Sequence, residues 1–137
     1  MKYLDSSAVL RLLFGEPGPV VVLRSGDTAA SSELLEVEVF RALDRERLLG
    51  HLDDRETAVK RKELGDLVAM LDLVPIDRAV LDRAKGSFAV NLRALDAIHV
   101  ATAEVLAAET GGAVEFWTHD DRQGIAATSR GFVVRGL

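Results

Sequence analysis

The chain has 137 residues, 48% of them hydrophobic, which fits one folded domain with its own core and excludes a disordered chain. Seventeen Lys and Arg against 22 Asp and Glu leave a formal charge of −5, so the surface is not a basic nucleic-acid coat, although a local basic rim beside an acidic cleft is compatible with it. The absence of cysteine excludes disulfide frameworks, thiolate zinc sites and Cys nucleophiles, and fits a reducing, intracellular setting.

The apolar period changes repeatedly along the chain, and turn residues mark each change. Tyr3-Leu4 is a short strand that stops at Asp5-Ser6-Ser7, a helix-capping cluster. Because Asp5 and Arg11 interrupt any apolar run, a signal peptide is not expected, and no stretch approaches the roughly 18 apolar residues of a membrane span. A helix through Leu13 follows, with Val9, Leu10, Leu13 and Phe14 on one stripe. Thr28–Ser31 reads as a strand, after which Ser31-Ser32 caps a helix over Glu33–Leu49. Asp53–Leu71 is a further helix. Leu73–Ile76 is a strand that carries a proline and so belongs at an edge or a strand start. Asp77–Lys85 and Ala94–Glu109 are helices, Val114–Thr118 is a strand, Arg122–Ser129 a helix and Phe132–Arg135 the last strand. Short strands alternating with helices predict an α/β fold, a parallel sheet between two helical layers, in a single domain over residues 1–137.

In such a sheet, ligands bind outside the carboxyl ends of the strands. Asp5 ends the first strand and Asp120 follows the fourth, which places two carboxylates at that edge. Glu38 shares its helix stripe with Leu34, Leu35, Val39, Ala42 and Leu43 and so faces inward. Asp96 opens a helix that is apolar nearly all round. Each acid has a plain structural alternative: Asp5 and Asp120 as helix caps or an Asx turn, Asp96 as a partner of its helix dipole, Glu38 paired with Arg41 or Arg45. One site at one sheet edge accounts for all four together. Clustered carboxylates cannot all stay ionised without a counter-cation, and Mg²⁺ or Mn²⁺ suits an all-oxygen set. Such a centre points to phosphodiester hydrolysis by in-line attack of a water activated at the cation.

These residues carry a resemblance. Tyr3-Leu4-Asp5-Ser6-Ser7-Ala8, Ser32-Glu33-Leu34 through Glu38 to Ala42-Leu43, Leu92-Arg93-Ala94-Leu95-Asp96-Ala97-Ile98-His99-Val100-Ala101 and Trp117-Thr118-His119-Asp120 resemble, in order and spacing, the PIN-domain ribonucleases, and specifically the VapC toxins of type II toxin–antitoxin modules. The resemblance implies a PIN-like α/β/α sandwich with a short parallel sheet. It also implies a metal-dependent endoribonuclease in which Asp5, Glu38, Asp96 and Asp120 form an acidic quartet around Mg²⁺ or Mn²⁺. Asp5 and Asp96 would be direct ligands, Glu38 and Asp120 ligands directly or through water. Ser7 and Thr118 match small hydroxyl positions that support the acids. The family spacing selects Asp120, with Asp121 as the alternative register. The expected partners are an RNA substrate, a cognate VapB-type antitoxin and a second copy of the chain in a homodimer, in the cytoplasm and with no membrane.

Further residues carry smaller expectations. Arg11, Arg41 and Arg93 lie near the motifs and are candidates to bind RNA phosphates. His99, three positions from Asp96, is read as a packed or hydrogen-bonded structural residue. His119 points away from Asp120 if the strand alternates, and Trp117 belongs to the core. Lys60-Arg61-Lys62, with Arg55, is a solvated helix face or, failing that, a phosphate contact. Two enzyme classes that also place acids at strand ends fit poorly. A phosphoacceptor receiver needs an acid paired with Asp5 and a late lysine, and a haloacid-dehalogenase-type phosphatase needs an acid where Ser7 stands. A PIN-like module that binds RNA or protein without cutting is the remaining alternative.

Overall fold

A computed structural model describes residues 1–137. Five strands, β1 (Lys2–Leu4), β2 (Ala29–Ser32), β3 (Asp72–Val74), β4 (Glu115–Trp117) and β5 (Val133–Arg135), form one parallel sheet in the order β3-β2-β1-β4-β5. Six helices connect them: α1 (Ser6–Phe14), α2 (Leu34–Leu48), α3 (Asp54–Val68), α4 (Arg78–Ala84), α5 (Ala94–Thr110) and α6 (Asp121–Ser129). The chain builds outward from β1 to β2 and β3, then returns to the other side of β1 with β4 and β5. The order therefore reverses between β1 and β4, and a crevice opens at such a reversal.

Strand alternation sorts the core into two layers. Leu4, Ala29 and Trp117 pack on one face with Val9, Leu13, Leu35, Val39, Leu43, Leu64 and Val68, from α1, α2 and α3. Tyr3, Ala30 and Phe116 pack on the other with Val100, Ala103, Leu106, Ala126 and Ala127, from α5 and α6. Trp117 is thus a core residue on the face opposite Phe116, as the alternation predicts. Helix α4 closes against α5 through Val80, Ala101 and Val105. Proline 75 sits immediately after β3, which is an edge strand, where a missing N–H costs no ladder bond.

The elements appear where the hydrophobic period places them, with ends shifted by one to three residues. One cap is different from the expectation. Ser31 gives its hydroxyl to the Leu4 carbonyl at 2.6 Å and is unavailable to α2. Ser32 alone reaches the Leu34 N–H, at 3.3 Å. Glu33, at the start of α2, turns its carboxylate to the Ile76 N–H at 2.9 Å and ties α2 to the segment after β3. Helix α3 begins instead with a full capping box, Asp53 and Glu56 each accepting from the other's backbone, an arrangement worth about 1 kcal/mol per cap.

Candidate active site

The site grows from the reversal point. Strand β1 ends at Leu4, and Asp5, buried at 3% exposure, is the first residue past it. Its backbone N–H still pairs with the Trp117 carbonyl at 3.1 Å, so the ends of β1 and β4 hold it in place. Its side chain caps α1: Oδ1 accepts from the Ala8 N–H at 2.9 Å. Ser7 Oγ donates to the same carboxylate, 2.7 and 2.9 Å from its two oxygens, and accepts from the His119 N–H at 2.8 Å. Thr118 Oγ1 donates to Oδ2 at 2.7 Å and accepts from the Asp120 N–H at 3.0 Å. Burial pushes the Asp5 carboxyl above its usual value, and His99 and these hydrogen bonds pull against that shift without cancelling it.

Asp120 caps α6, accepting from the Gln123 N–H at 2.9 Å, and its side chain is exposed. Asp96 lies in the first turn of α5 and is half-buried. Its carboxyl is raised by burial first and by the Asp120 charge second; His99 opposes the rise, and Asp5 and Glu38 add to it. Asp96 therefore feels the other three carboxylates, although they enter from β1, α2 and the β4–α6 turn. Asp120 heads the charges acting on Asp96 and Asp121 is not among the leading ones, which favours Asp120 as the fourth acid. The N-termini of α1, α5 and α6 all carry one of these acids, and their helix dipoles favour negative charge there.

Glu38 projects from α2 with its side chain 16% exposed. Its partner is neither Arg41, which bonds Asp44, nor Arg45. Oε2 meets His99 Nε2 at 2.6 Å, and His99 Nδ1 meets the Tyr3 hydroxyl at 2.9 Å. His99, 1% exposed, is hydrogen-bonded on both sides, in line with the structural role expected of it.

A cleft of about 550 Å³ opens at Asp96 and Asp120, walled by Asn91, Arg93, Asp96, His119, Asp120, Asp121 and Arg122, with no hydrophobic residue among them; Asp5 and Glu38 are not part of its wall. Of the three arginines singled out in the sequence, Arg93 lines this cleft. Arg11 lies by Glu16 at 3.8 Å and Arg41 turns outward to Asp44. Lys60 and Lys62 pair with Glu63 and Asp66, and Arg61 stacks over Phe40, so that run is a self-paired helix face. His119 belongs to the cleft wall while its Nδ1 bonds the Gly136 carbonyl.

Two residues escaped the sequence reading. Arg122 is the second cation of the cleft wall, and its only signal is adjacency to Asp120-Asp121. Gln123, fully buried, lies with Oε1 2.9 Å from Thr118 Oγ1 and Nε2 3.4 Å from the Asp96 carbonyl. It stitches the turn after β4 to the start of α5. Its position three residues after the cap Asp120 is capping-box spacing, but the Asp120 N–H it would reach is taken by Thr118.

The donors are hard carboxylate oxygens, and the Asp96 carboxyl, raised first by burial, is raised further by the neighbouring acid charges that a divalent cation would offset. The donor chemistry fits such an ion. As the side chains stand, no three His, Asp or Glu groups form a ligating cluster; the acids converge by charge and not yet by contact.

Comparison with known proteins agrees in extent as well as kind. The PIN domain family model matches residues 2–128. Ribonuclease VapC46 of Mycobacterium tuberculosis (strain ATCC 25618 / H37Rv) is 41% identical over 135 residues, 96% of this chain and 94% of the relative. Ribonuclease VapC47 of Mycobacterium tuberculosis (strain CDC 1551 / Oshkosh) is 33% identical over 141 residues, 97% of this chain and 94% of the relative.

Proposed function

This chain belongs to the PIN-domain family, and from that premise we propose that Asp5, Glu38, Asp96 and Asp120 hold a divalent cation, Mg²⁺ or Mn²⁺, in its work on RNA. The protein is an endoribonuclease of the VapC type, the toxin of a toxin–antitoxin module. The arrangement that carries the assignment of its site is the placing of Asp96 and Asp120 in one polar cleft wall, with an Asp96 carboxyl raised first by burial and then by the charges of Asp120, Asp5 and Glu38, three acids from separate elements.

The roles divide by environment. Asp5 is immobile, its oxygens fixed by Ser7, Thr118 and the start of α1, and supplies a preset negative charge at the base of the cleft. Asp120 is tied to α6 through Oδ1 alone and Asp96 makes no side-chain hydrogen bond, so both keep carboxylate oxygen open to a ligand. A bound divalent cation supplies Lewis acidity and charge neutralisation for a phosphodiester under attack. Arg93 and Arg122 on the rim hold the flanking phosphates and keep the chain in register with the acids. A single strand suits an open, polar cleft of this kind better than a rigid duplex.

The same reading extends to partners. We place residues 1–137 in one PIN domain, because a single sheet takes strands from Lys2 to Arg135. A VapB-type antitoxin would neutralise the toxin. Exposed apolar residues Val37, Leu48, Leu49 and Val59 on α2 and α3 supply surface for a homodimer or for the antitoxin. No helix is long and apolar enough to cross a membrane, and an RNA substrate points to work in the cytoplasm.

The test is cleavage of a mixed RNA pool by the purified protein with Mg²⁺ or Mn²⁺, with EDTA, and with Asp96→Ala. Cutting that needs the cation and Asp96 supports the reading. Undiminished cutting in EDTA defeats the metal assignment, and RNA binding without any cutting supports the non-cleaving alternative.

A further inference from the structure

Glu38 differs from the other three acids in how it is held. Asp5 and Asp120 are fixed by the helix starts they cap and Asp96 is short, but Glu38 is a long side chain in mid-helix, on the far side of β1 from α5. One contact bridges that distance: Oε2 to His99 Nε2 at 2.6 Å, with Oε1 making no hydrogen bond. His99 is fixed in turn. Its Nδ1 meets the Tyr3 hydroxyl at 2.9 Å, and the Tyr3 ring is wedged between Phe116, stacked at 5.2 Å, and the edge of His99 at 6.0 Å.

The protons follow from this arrangement. An ionised carboxylate only accepts, so Nε2 must carry the hydrogen it gives to Glu38. In a neutral imidazole Nδ1 is then the bare nitrogen, and the phenol is its donor. Tyr3 therefore holds the ring in the orientation that serves Glu38, as an outer residue does for a metal-bound imidazole, here one step further from the ion. Tyr3 lies on β1 two residues before Asp5, and His99 lies on α5 one turn after Asp96. The two elements that carry the inner acids also carry the device that aims the outer one.

We propose that Tyr3 and His99 are positioning residues that fix Glu38 through Oε2 and leave Oε1 to the cation. This rests on the four-acid reading above. Neither side chain touches substrate, and each acts through Glu38.

The experiment measures Mn²⁺ affinity by calorimetry, and thermal midpoint in EDTA, for the full chain and for Tyr3→Phe, His99→Leu and His99→Gln, each alone and in Glu38→Ala. Leucine removes both ring nitrogens, glutamine restores a donor near Nε2, and Tyr3→Phe removes one oxygen and keeps the stacked ring. His99→Leu is expected to weaken Mn²⁺ about 10–100-fold, Tyr3→Phe less, and His99→Gln to recover most of the loss. In Glu38→Ala, neither Tyr3→Phe nor His99→Leu should weaken Mn²⁺ further, as residues acting through one another do not add. A lowered midpoint with unchanged Mn²⁺ affinity, in Tyr3→Phe or in a folded His99→Leu, overturns the proposal and leaves the pair as mere core packing. So do losses that add in full to that of Glu38→Ala. Should Glu38→Ala itself bind Mn²⁺ like the wild type, the four-acid reading falls and takes the pair's role with it.

Discussion

The base of the cleft and its rim are built from the same residue types under opposite constraints. At the base, Asp5 is buried and its two oxygens accept from the Ala8 N–H, the Thr118 hydroxyl and a Ser7 hydroxyl lying between them. Thr118 and Gln123 are buried too, the Thr118 hydroxyl directed to Asp5 and the Gln123 amide to the Asp96 carbonyl. At the rim, Asp120 is exposed and accepts a single bond, from Gln123 N–H, and Arg93 and Arg122 make no ion pair. The difference shows where order is provided in advance and where it waits for a ligand. A base set before substrate arrives lowers the entropy lost on binding, whereas a rim left open can fit phosphates whose positions vary along an RNA.

The sharpest way to break this contrast is Asp5→Asn. The substitution keeps the cap and most of the hydrogen-bond frame and removes the charge. RNA cleavage should fall more than about a hundredfold, beyond the usual effect of an outer residue, while the metal-free protein gains roughly 0.5–2 kcal/mol. The sign is that of a raised carboxyl: the folded state holds the proton more tightly than the unfolded, so its stability falls as pH rises from the ordinary value of 3.8 through the folded one. The gain in Asp5→Asn should therefore be larger at pH 8 than at pH 3.8 in urea unfolding with EDTA. An equal gain at both would show that the charge is not what strains the base.

Gln123→Leu comes next. It should cost about 0.5–1.5 kcal/mol by removing the hydrogen bond from the Gln123 amide to the Asp96 carbonyl, and activity should drop with it. Urea unfolding and initial rates on one RNA would measure both, and a variant of wild-type stability would make the stitch ornamental. At the rim the pattern should invert. Arg93→Ala and Arg122→Ala are expected to leave stability unchanged and to raise KM, each reducing the salt slope of RNA binding by about 0.7. The smallest effect belongs to Asp121→Asn, within about 0.5 kcal/mol in stability and well below Asp120→Asn in lost cleavage. A reversal of that last order would move the fourth acid one residue along.

Much of this was legible because it is local. Strand alternation with Phe116 marked Trp117 as core, the Asp5-Ser6-Ser7 cluster marked a helix start, and a carboxylate on an apolar stripe marked Glu38 as facing inward. The family resemblance, not the local pattern, implied that the hydroxyls of Ser7 and Thr118 support the acids, and both bond Asp5. What stayed hidden depends on pairs far apart in the chain. Nothing in the local pattern ties Tyr3 to His99 or His99 to Glu38, and Arg41 and Arg45 were the nearer guesses because they share the helix of Glu38. Ser31 looked like a helix cap until the sheet brought the Leu4 carbonyl beside it. Gln123 carried a capping-box spacing whose usual use was pre-empted by Thr118.

The Gly136 carbonyl that receives the His119 ring belongs to a residue at φ +98°, where a methyl group would lie 2.6 Å from the Thr118 carbonyl. Position 136 is consequently closed to every side chain, for reasons of space and of backbone shape alike. The residue it would shove is the one whose hydroxyl holds Asp5. Loss of toxicity in a random mutant pool should thus have a hot spot at Gly136, a residue outside the four acids and the cleft wall.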